Sequence, residues 1–130
     1  MTSPTSLPLM IVDDDDDLRE TMADIMSAQG YTVAAFADAR AALAALEGGQ
    51  TPFLILLDLM MPGMSGWEFR AAQLKNPRLT SSPVVVVTAA STFIDGAPPL
   101  PDIEILRKPF ELDTLLTLVG RYAAAAPPGP

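Results

Sequence analysis

The stretch that decides the fold is residues 53–58, Phe-Leu-Ile-Leu-Leu-Asp, in which five apolar residues run without a break into an aspartate. A continuous apolar run of this length is typical of a strand in a parallel sheet that is covered on both faces. Similar short runs occur at residues 7–12, 84–87 and 103–106, and residues 31–36 add a plausible fifth strand. The sequence therefore predicts a parallel sheet of five strands.

Helical patterns separate these runs. One helix face is indicated by apolar residues spaced i, i+4, i+7 and i+8, namely Leu18, Met22, Ile25 and Met26. Gly30 fits the end of this helix. Asp38 and Ser65 are suitable N-caps for two further helices, the second with Glu68 at capping-box spacing. A last amphipathic helix is indicated between Leu112 and Tyr122. Strands that alternate with helices in this way predict an α/β fold with helices on both faces of the sheet.

The alternation is weakest at residues 91–102, where a fourth helix is expected but the sequence contains Gly96, Pro98, Pro99 and Pro101. Proline removes a backbone donor and clashes with the preceding helical turn. We therefore expect a shortened or irregular helix there, with at most a short turn and a loop. Residues 1–6 are expected to form a flexible lead, residues 7–124 one domain, and the proline-rich residues 125–130 a tail or linker.

The composition excludes several classes of function. The 130 residues include no cysteine and no histidine, so a disulfide framework, a thiolate or histidine metal site and a Ser-His-Asp triad are excluded. Sixteen acidic residues against eight basic ones give a net charge of −8, which would repel nucleic-acid phosphates. The apolar stretches are too short to cross a membrane, and the N-terminus lacks signal-peptide features. We expect a cytoplasmic protein that contacts neither nucleic acid nor membrane.

Polar side chains follow the predicted strands: Asp13 and Asp14 follow the first, and Asp58, Thr88 and Lys108 follow three others. Because ligands bind beyond the carboxyl ends of the strands in an open α/β sheet, these five side chains are expected to share one crevice. Clustered carboxylates repel one another unless a cation joins them, and oxygen ligands alone suit Mg²⁺ or Mn²⁺. Residues 15–17, also aspartates, are better explained as a solvated helix start that favours the helix dipole.

The chemistry of this predicted crevice is that of phosphoryl transfer. A carboxylate can act as a nucleophile towards phosphorus, and a divalent cation would screen the charge on both the attacking group and the donor. A lysine ammonium would hold a phosphoryl oxygen as a point charge, and a threonine hydroxyl could donate to another. The side chains match reversible phosphorylation of one carboxylate.

Four motifs, in order, resemble the response-regulator receiver domain of bacterial two-component signalling, a CheY-like superfamily, over about residues 7–122. They are Met10-Ile-Val-Asp-Asp14, Leu56-Leu-Asp-Leu-Met-Met-Pro-Gly-Met-Ser-Gly66, Val87-Thr-Ala89 and Arg107-Lys-Pro-Phe110. The resemblance implies a flavodoxin-like (βα)5 fold with a doubly wound parallel five-stranded sheet in the order 2-1-3-4-5. It also implies a protein that is not an enzyme, apart from catalysing its own phosphorylation and dephosphorylation.

The resemblance assigns Asp58 as the phosphoryl acceptor. Asp13 and Asp14 would hold Mg²⁺, or Mn²⁺, together with Asp58 and the main-chain carbonyl of Met60. The side chain of Met60, like those of the other methionines nearby, is expected to serve packing.

The resemblance also gives roles to the residues after the last two strands. Thr88 would hydrogen-bond the phosphoryl group, and Lys108 would pair with it, with a cis peptide bond before Pro109. The phosphoryl donor would be a phosphohistidine on a histidine kinase or a histidine phosphotransfer protein. A downstream protein, which the sequence does not identify, would bind according to the state of Asp58.

Ile105 departs from the family pattern, because similar domains often carry Tyr or Phe three residues before the lysine. We hypothesise that this domain signals without the aromatic half of that switch. The proline-rich residues 91–102 are a second departure, and they leave the output surface open because the fourth helix commonly contributes to it.

Two other functions remain as alternatives. One is a receiver-like binding module that works without phosphorylation. The other is a small phosphatase or phosphotransfer enzyme of the haloacid dehalogenase type. That type is disfavoured because Asp13-x-Asp15 is followed by Asp17 instead of threonine or valine, and because there is no cap domain. Whether the domain is a stand-alone protein, part of a longer regulator or a segment of a hybrid kinase also stays open.

Overall fold

The computed structural model describes residues 7–89 and 103–126. Its strands are β1 (Leu9–Val12), β2 (Val33–Phe36), β3 (Leu54–Leu57), β4 (Val84–Thr88) and β5 (Glu104–Arg107). Its α-helices are α1 (Asp16–Ala28), α2 (Ala39–Glu47), α3 (Gly66–Lys75) and α4 (Leu112–Ala125), and a 3-10 turn spans Pro77–Leu79. The predicted lead at 1–6, the irregular helix at 91–102 and the end of the predicted tail, 127–130, lie outside the described residues.

The five strands form one parallel sheet in the order β2-β1-β3-β4-β5, as predicted. Val12 pairs with Leu57 across β1 and β3, and Thr88 pairs with Arg107 across β4 and β5. The strands therefore end at one edge of the sheet, and the residues that follow them emerge side by side.

Successive residues of β1 pack on opposite helical layers, as the two-residue period of the pleat requires. Leu9 and Ile11 face the layer that contains α1 and α4, whereas Met10 and Val12 face the layer of α2 and α3. The residues of β1 and β3 are at most 1 % exposed, which explains why their sequences are apolar without alternation. The prediction of a doubly covered sheet is confirmed.

The predicted helix ends are also confirmed. Asp38 accepts a hydrogen bond from the N–H of Ala41, and Ser65 and Glu68 form the reciprocal capping box of α3. Gly30, just after α1, has a φ of 97°, a conformation that glycine adopts without strain. Helix α4 extends to Ala125, one residue beyond the predicted domain boundary. Among the described residues, no helix has the length and apolar character needed to cross a membrane.

Candidate functional site

Three aspartates meet where β1 and β3 end. Asp13, Asp14 and Asp58 each present a carboxylate oxygen, and these oxygens all lie within 4.8 Å of one another. The main chain brings them together, because the N–H of Asp58 donates to the carbonyl of Val12 at 3.0 Å and so continues the pairing of the two strands. Asp13 and Asp58 are buried and Asp14 is exposed, so the cluster opens to solvent on one side.

Lys108 reaches this cluster from the end of β5. Its Nζ lies 2.8 Å from Oδ2 of Asp13 and 3.4 Å from Oδ2 of Asp58. Burial by itself would lower the pKa of Lys108, but the hydrogen bond and charge of Asp13 and the charge of Asp58 outweigh it, so the pKa is raised. The ammonium group is therefore charged at neutral pH and offsets part of the repulsion among the carboxylates. The predicted cis peptide bond between Lys108 and Pro109 is present.

Thr88 is the last residue of β4 and is buried. Its main-chain carbonyl accepts a hydrogen bond of 3.0 Å from the N–H of Lys108, so the ends of β4 and β5 are joined directly beside the carboxylates. The sheet thus places all five of the predicted side chains at the same edge, although in sequence they are spread from residue 13 to residue 108.

Met60 follows Asp58 in the loop after β3, and its N–H donates to Oδ1 of Asp58 at 3.2 Å. The prediction that its side chain serves packing is wrong, because the side chain is 55 % exposed. The chain alternates at this point: Leu59 and Met61 turn inwards and are buried, and the residue between them turns outwards.

The residues at this edge fit a hard divalent cation. The cluster offers carboxylate oxygens from three aspartates, and neither nitrogen nor sulfur ligands are among them. Two of the three carboxylates are buried, and the single ammonium group of Lys108 contacts both of them. A cation of charge +2 would remove the remaining repulsion.

Sequence reasoning missed two residues that shape the site. The guanidinium of Arg19 donates to the main-chain oxygen of Asp13 at 2.9 Å, and a signal for it was present in its i, i+3 spacing from Asp16. Gly66 begins α3 against the main chain that follows Asp58: a Cβ added to it would lie 2.7 Å from Cα of Leu59. A glycine at the first position of a capped helix was the available signal for this close approach.

A comparison with known protein families decides what kind of domain carries this site. The family model of the response regulator receiver domain matches residues 9–120. The chain belongs to the response regulator receiver domain family. This receiver domain is 33 % identical to the transcriptional regulatory protein TcrA of Mycobacterium tuberculosis over 121 residues, which cover 92 % of this chain and 47 % of TcrA. The chain thus spans about half the length of that relative.

Solved structures agree with this assignment of the receiver domain. The response regulator receiver domain protein (CheY-like) from Methanospirillum hungatei superposes with a TM-score of 0.77 at 27 % identity, covering 92 % of this chain and 96 % of that one. The response regulator protein TrrA from Thermotoga maritima, solved in complex with Mg²⁺-BeF, gives a TM-score of 0.75 at 25 % identity, covering 89 % and 98 %. The predicted family and the predicted fold are both confirmed, and the domain is a receiver domain of two-component response regulators.

Proposed function

We propose that this receiver domain accepts a phosphoryl group on Asp58 from a phosphohistidine of a histidine kinase or a histidine phosphotransfer protein. The observation that carries the proposal is the contact of one ammonium group, that of Lys108, with both Asp13 and Asp58. A buried carboxylate beside a second carboxylate and a cation is arranged to attack an electrophile and to have the added charge compensated.

In the proposed step, a carboxylate oxygen of Asp58 attacks phosphorus. The new O–P bond forms as the N–P bond of the donor breaks, and the departing imidazole takes up a proton. Lys108 is within reach of an oxygen on the transferred group because its Nζ is already 3.4 Å from Oδ2 of Asp58. Thr88, buried at the end of the adjacent strand, is the proposed hydroxyl donor to a second oxygen.

Asp13, Asp14 and Asp58, with the main-chain carbonyl of Met60, are the proposed ligands of Mg²⁺, and Mn²⁺ would fit the same oxygens. When bound, the cation would neutralise charge that otherwise opposes the approach of a phosphoryl donor.

An open pocket beside Lys108 supports the proposed partner. Its volume is about 390 Å³, and it is lined by Asp15, Leu18, Ala89, Lys108, Pro109 and Phe110. This surface combines apolar side chains with the rim of the carboxylate cluster, so a partner helix that carries the donor histidine could approach Asp58 from this side. The product would be one phosphoryl group per chain, without turnover of a separate substrate. Its added charge would change the affinity for a downstream protein.

The test is to incubate the protein with acetyl phosphate and Mg²⁺ and to record the intact mass. We expect a single phosphoryl adduct, which is lost in Asp58→Asn and in excess chelator. Asp24→Asn is the matched control, because Asp24 is an exposed aspartate on α1 and its variant should still form the adduct.

Three results would contradict the proposal. The first is the absence of an adduct together with failure to bind beryllofluoride, which would favour a binding module that works without phosphate. The second is the continuous release of many phosphates per chain, which would indicate a phosphatase. An adduct that persists in Asp58→Asn would place the acceptor elsewhere.

A further inference from the structure

Every oxygen of Asp13 is held by a different partner. Oδ1 accepts from the N–H of Asp15 at 2.9 Å, and Oδ2 accepts from Nζ of Lys108 at 2.8 Å. The main-chain oxygen accepts from Nη1 of Arg19 at 2.9 Å. Two of these three partners are cations, and they hold Asp13 in different ways, because Lys108 uses the carboxylate and Arg19 uses the main chain.

Arg19 joins the end of β1 to the first turn of α1. While Nη1 binds the carbonyl of Asp13, Nη2 binds Oδ1 of Asp16 at 2.6 Å. The side chain of Arg19 is only 15 % exposed, whereas that of Asp16 is 75 % exposed. The pair is therefore not an ordinary surface ion pair, since the guanidinium lies inwards, against the loop that carries Asp13 and Asp14. A planar guanidinium can hold two acceptors at once in a fixed geometry.

A divalent cation at the carboxylates would compete with Lys108 for the carboxylate of Asp13. If Lys108 gave up its contact, Asp13 would lose one of its three partners. The contact with Arg19 is unaffected by this exchange, because it is made to the main-chain oxygen and not to the carboxylate.

We infer that Arg19 is a positioning residue for the cation site: it keeps the main chain of Asp13 in place while Lys108 exchanges its partner. The inference rests on the proposed function for the cation site, and it adds a residue to which neither the sequence motifs nor the family resemblance gave a role.

The direction in which cation affinity changes when Arg19 is removed distinguishes a positioning role from a purely electrostatic one. If Arg19 acted only through its positive charge, its removal would strengthen cation binding, because a like charge near the site would be gone. If Arg19 positions Asp13, its removal weakens cation binding, since partners that orient metal ligands typically contribute about tenfold or more to metal affinity. The two accounts predict opposite shifts for Arg19→Met.

The experiment measures Mn²⁺ binding directly, from the electron paramagnetic resonance signal of the free ion, and Mg²⁺ binding by competition. We expect the Kd for Mn²⁺ to rise about tenfold in Arg19→Met, which keeps the apolar length of the side chain but removes both donors and the charge. Arg19→Lys keeps the charge, but its ammonium cannot hold Asp13 and Asp16 in the same fork. We therefore expect a smaller weakening in this variant, which charge alone does not produce.

Arg78→Met is the matched control. Arg78 is exposed, lies in the 3-10 turn before the amino end of β4, and its loss changes the net charge by the same amount. Its Kd for Mn²⁺ should stay within about twofold of the unmodified protein because exposed charges beyond a Debye length are screened. Thermal unfolding shows which variants fold. If Arg19→Met does not fold, the inference is tested with Arg19→Lys instead.

An unchanged or lower Kd in both Arg19 variants would overturn the inference. If this occurs while the unmodified protein still forms its Mg²⁺-dependent adduct, only the role of Arg19 is wrong. If the unmodified protein binds neither Mn²⁺ nor Mg²⁺ and forms no adduct, the proposed function fails as well.

Discussion

The ammonium group of Lys108 lies 2.8 Å from Oδ2 of Asp13, although two strands, β3 and β4, separate β1 from β5 in the sheet. The same group is farther, 3.4 Å, from the proposed phosphoryl acceptor, Asp58. If the carboxylates bind a divalent cation, as proposed, Lys108 and the cation would compete for them. This competition can be measured.

Replacing Lys108 by methionine should tighten the binding of Mn²⁺ severalfold, because the competing ammonium group is removed. Without divalent cations, the same variant should lose about 1–3 kcal/mol of unfolding free energy, since two buried carboxylates lose the charged group that they share. Urea denaturation with and without Mg²⁺ measures both effects, and Mg²⁺ should restore stability more in the variant than in the unmodified protein.

Lys75→Met is the control for this experiment, because Lys75 is exposed at the end of α3 and is the only other lysine of the sequence. Its unfolding free energy should change by less than about 0.5 kcal/mol. Equal cation affinity in Lys108→Met and in the unmodified protein would show that the lysine does not compete.

Gly66→Ala should disturb the site through the main chain. The new methyl group would meet the carbonyl of Asp58 and lie 2.7 Å from Cα of Leu59, so the backbone must shift. We expect a loss of about 1–3 kcal/mol in unfolding free energy and weaker cation binding, both measured as for Lys108→Met.

The substitution Gly120→Ala should change the unfolding free energy in the direction opposite to Gly66→Ala. A Cβ there has 3.9 Å of clearance to the hydroxyl of Tyr31, and Gly120 lies inside α4, where alanine is favoured over glycine by about 0.5–1 kcal/mol. Gly120→Ala should therefore stabilise the protein. A stabilising effect at Gly66 as well would mean that α3 does not press on the loop after Asp58.

The hydrogen bond between the hydroxyl of Tyr122 and Glu104, at 3.0 Å, predicts a pH-dependent contribution to stability. Burial, the hydrogen bond and the charge of Glu104 all raise the pKa of Tyr122. Because the folded pKa lies above the unfolded value of about 10, the contribution is complete below that value and is lost as the pH rises through the folded pKa. Ultraviolet titration of the phenolate measures this.

Tyr31→Phe simplifies the titration, since the sequence has two tyrosines. In that background, Glu104→Gln should move the pKa of Tyr122 down towards its ordinary value, because the amide can still accept the hydrogen bond but the charge is gone. An unchanged titration curve would show that Glu104 does not stabilise the protonated phenol.

Ile105 should stay in place when the site is occupied. It lies half-buried on β5, in register with Val86. Its β-branched side chain has few accessible χ1 rotamers, so we expect it to keep its conformation. Structures of the free and beryllofluoride-bound protein measure this, with the buried neighbour Leu106 as the internal reference. A large displacement of Ile105 coupled to Thr88 would contradict the hypothesis that the domain signals without an aromatic switch.

Most of the fold was predictable because its signals are local. The apolar run at 54–57 has no alternation because β3 is covered on both faces, and the caps at Asp38 and Ser65 bond to N–H groups only three residues away. The chemistry of the site was predictable in kind, because carboxylates and a lysine at the ends of parallel strands converge on one edge. Such features depend on near neighbours in the chain or on a general rule of topology.

The sequence by itself determined the strands, the helices that separate them and the inventory of the site. Only the tertiary structure decided which atoms these residues contact. Lys108 lies closer to Asp13 than to Asp58, Arg19 donates to a main-chain carbonyl, and α3 begins against the chain after Asp58. The tertiary structure also turned the side chain of Met60 outwards. For Lys108 the reason is physical: it lies 95 positions from Asp13 and 50 from Asp58, and the difference of a few tenths of an ångström between its two contacts is set by the packing of two helical layers on the sheet, which no local pattern encodes.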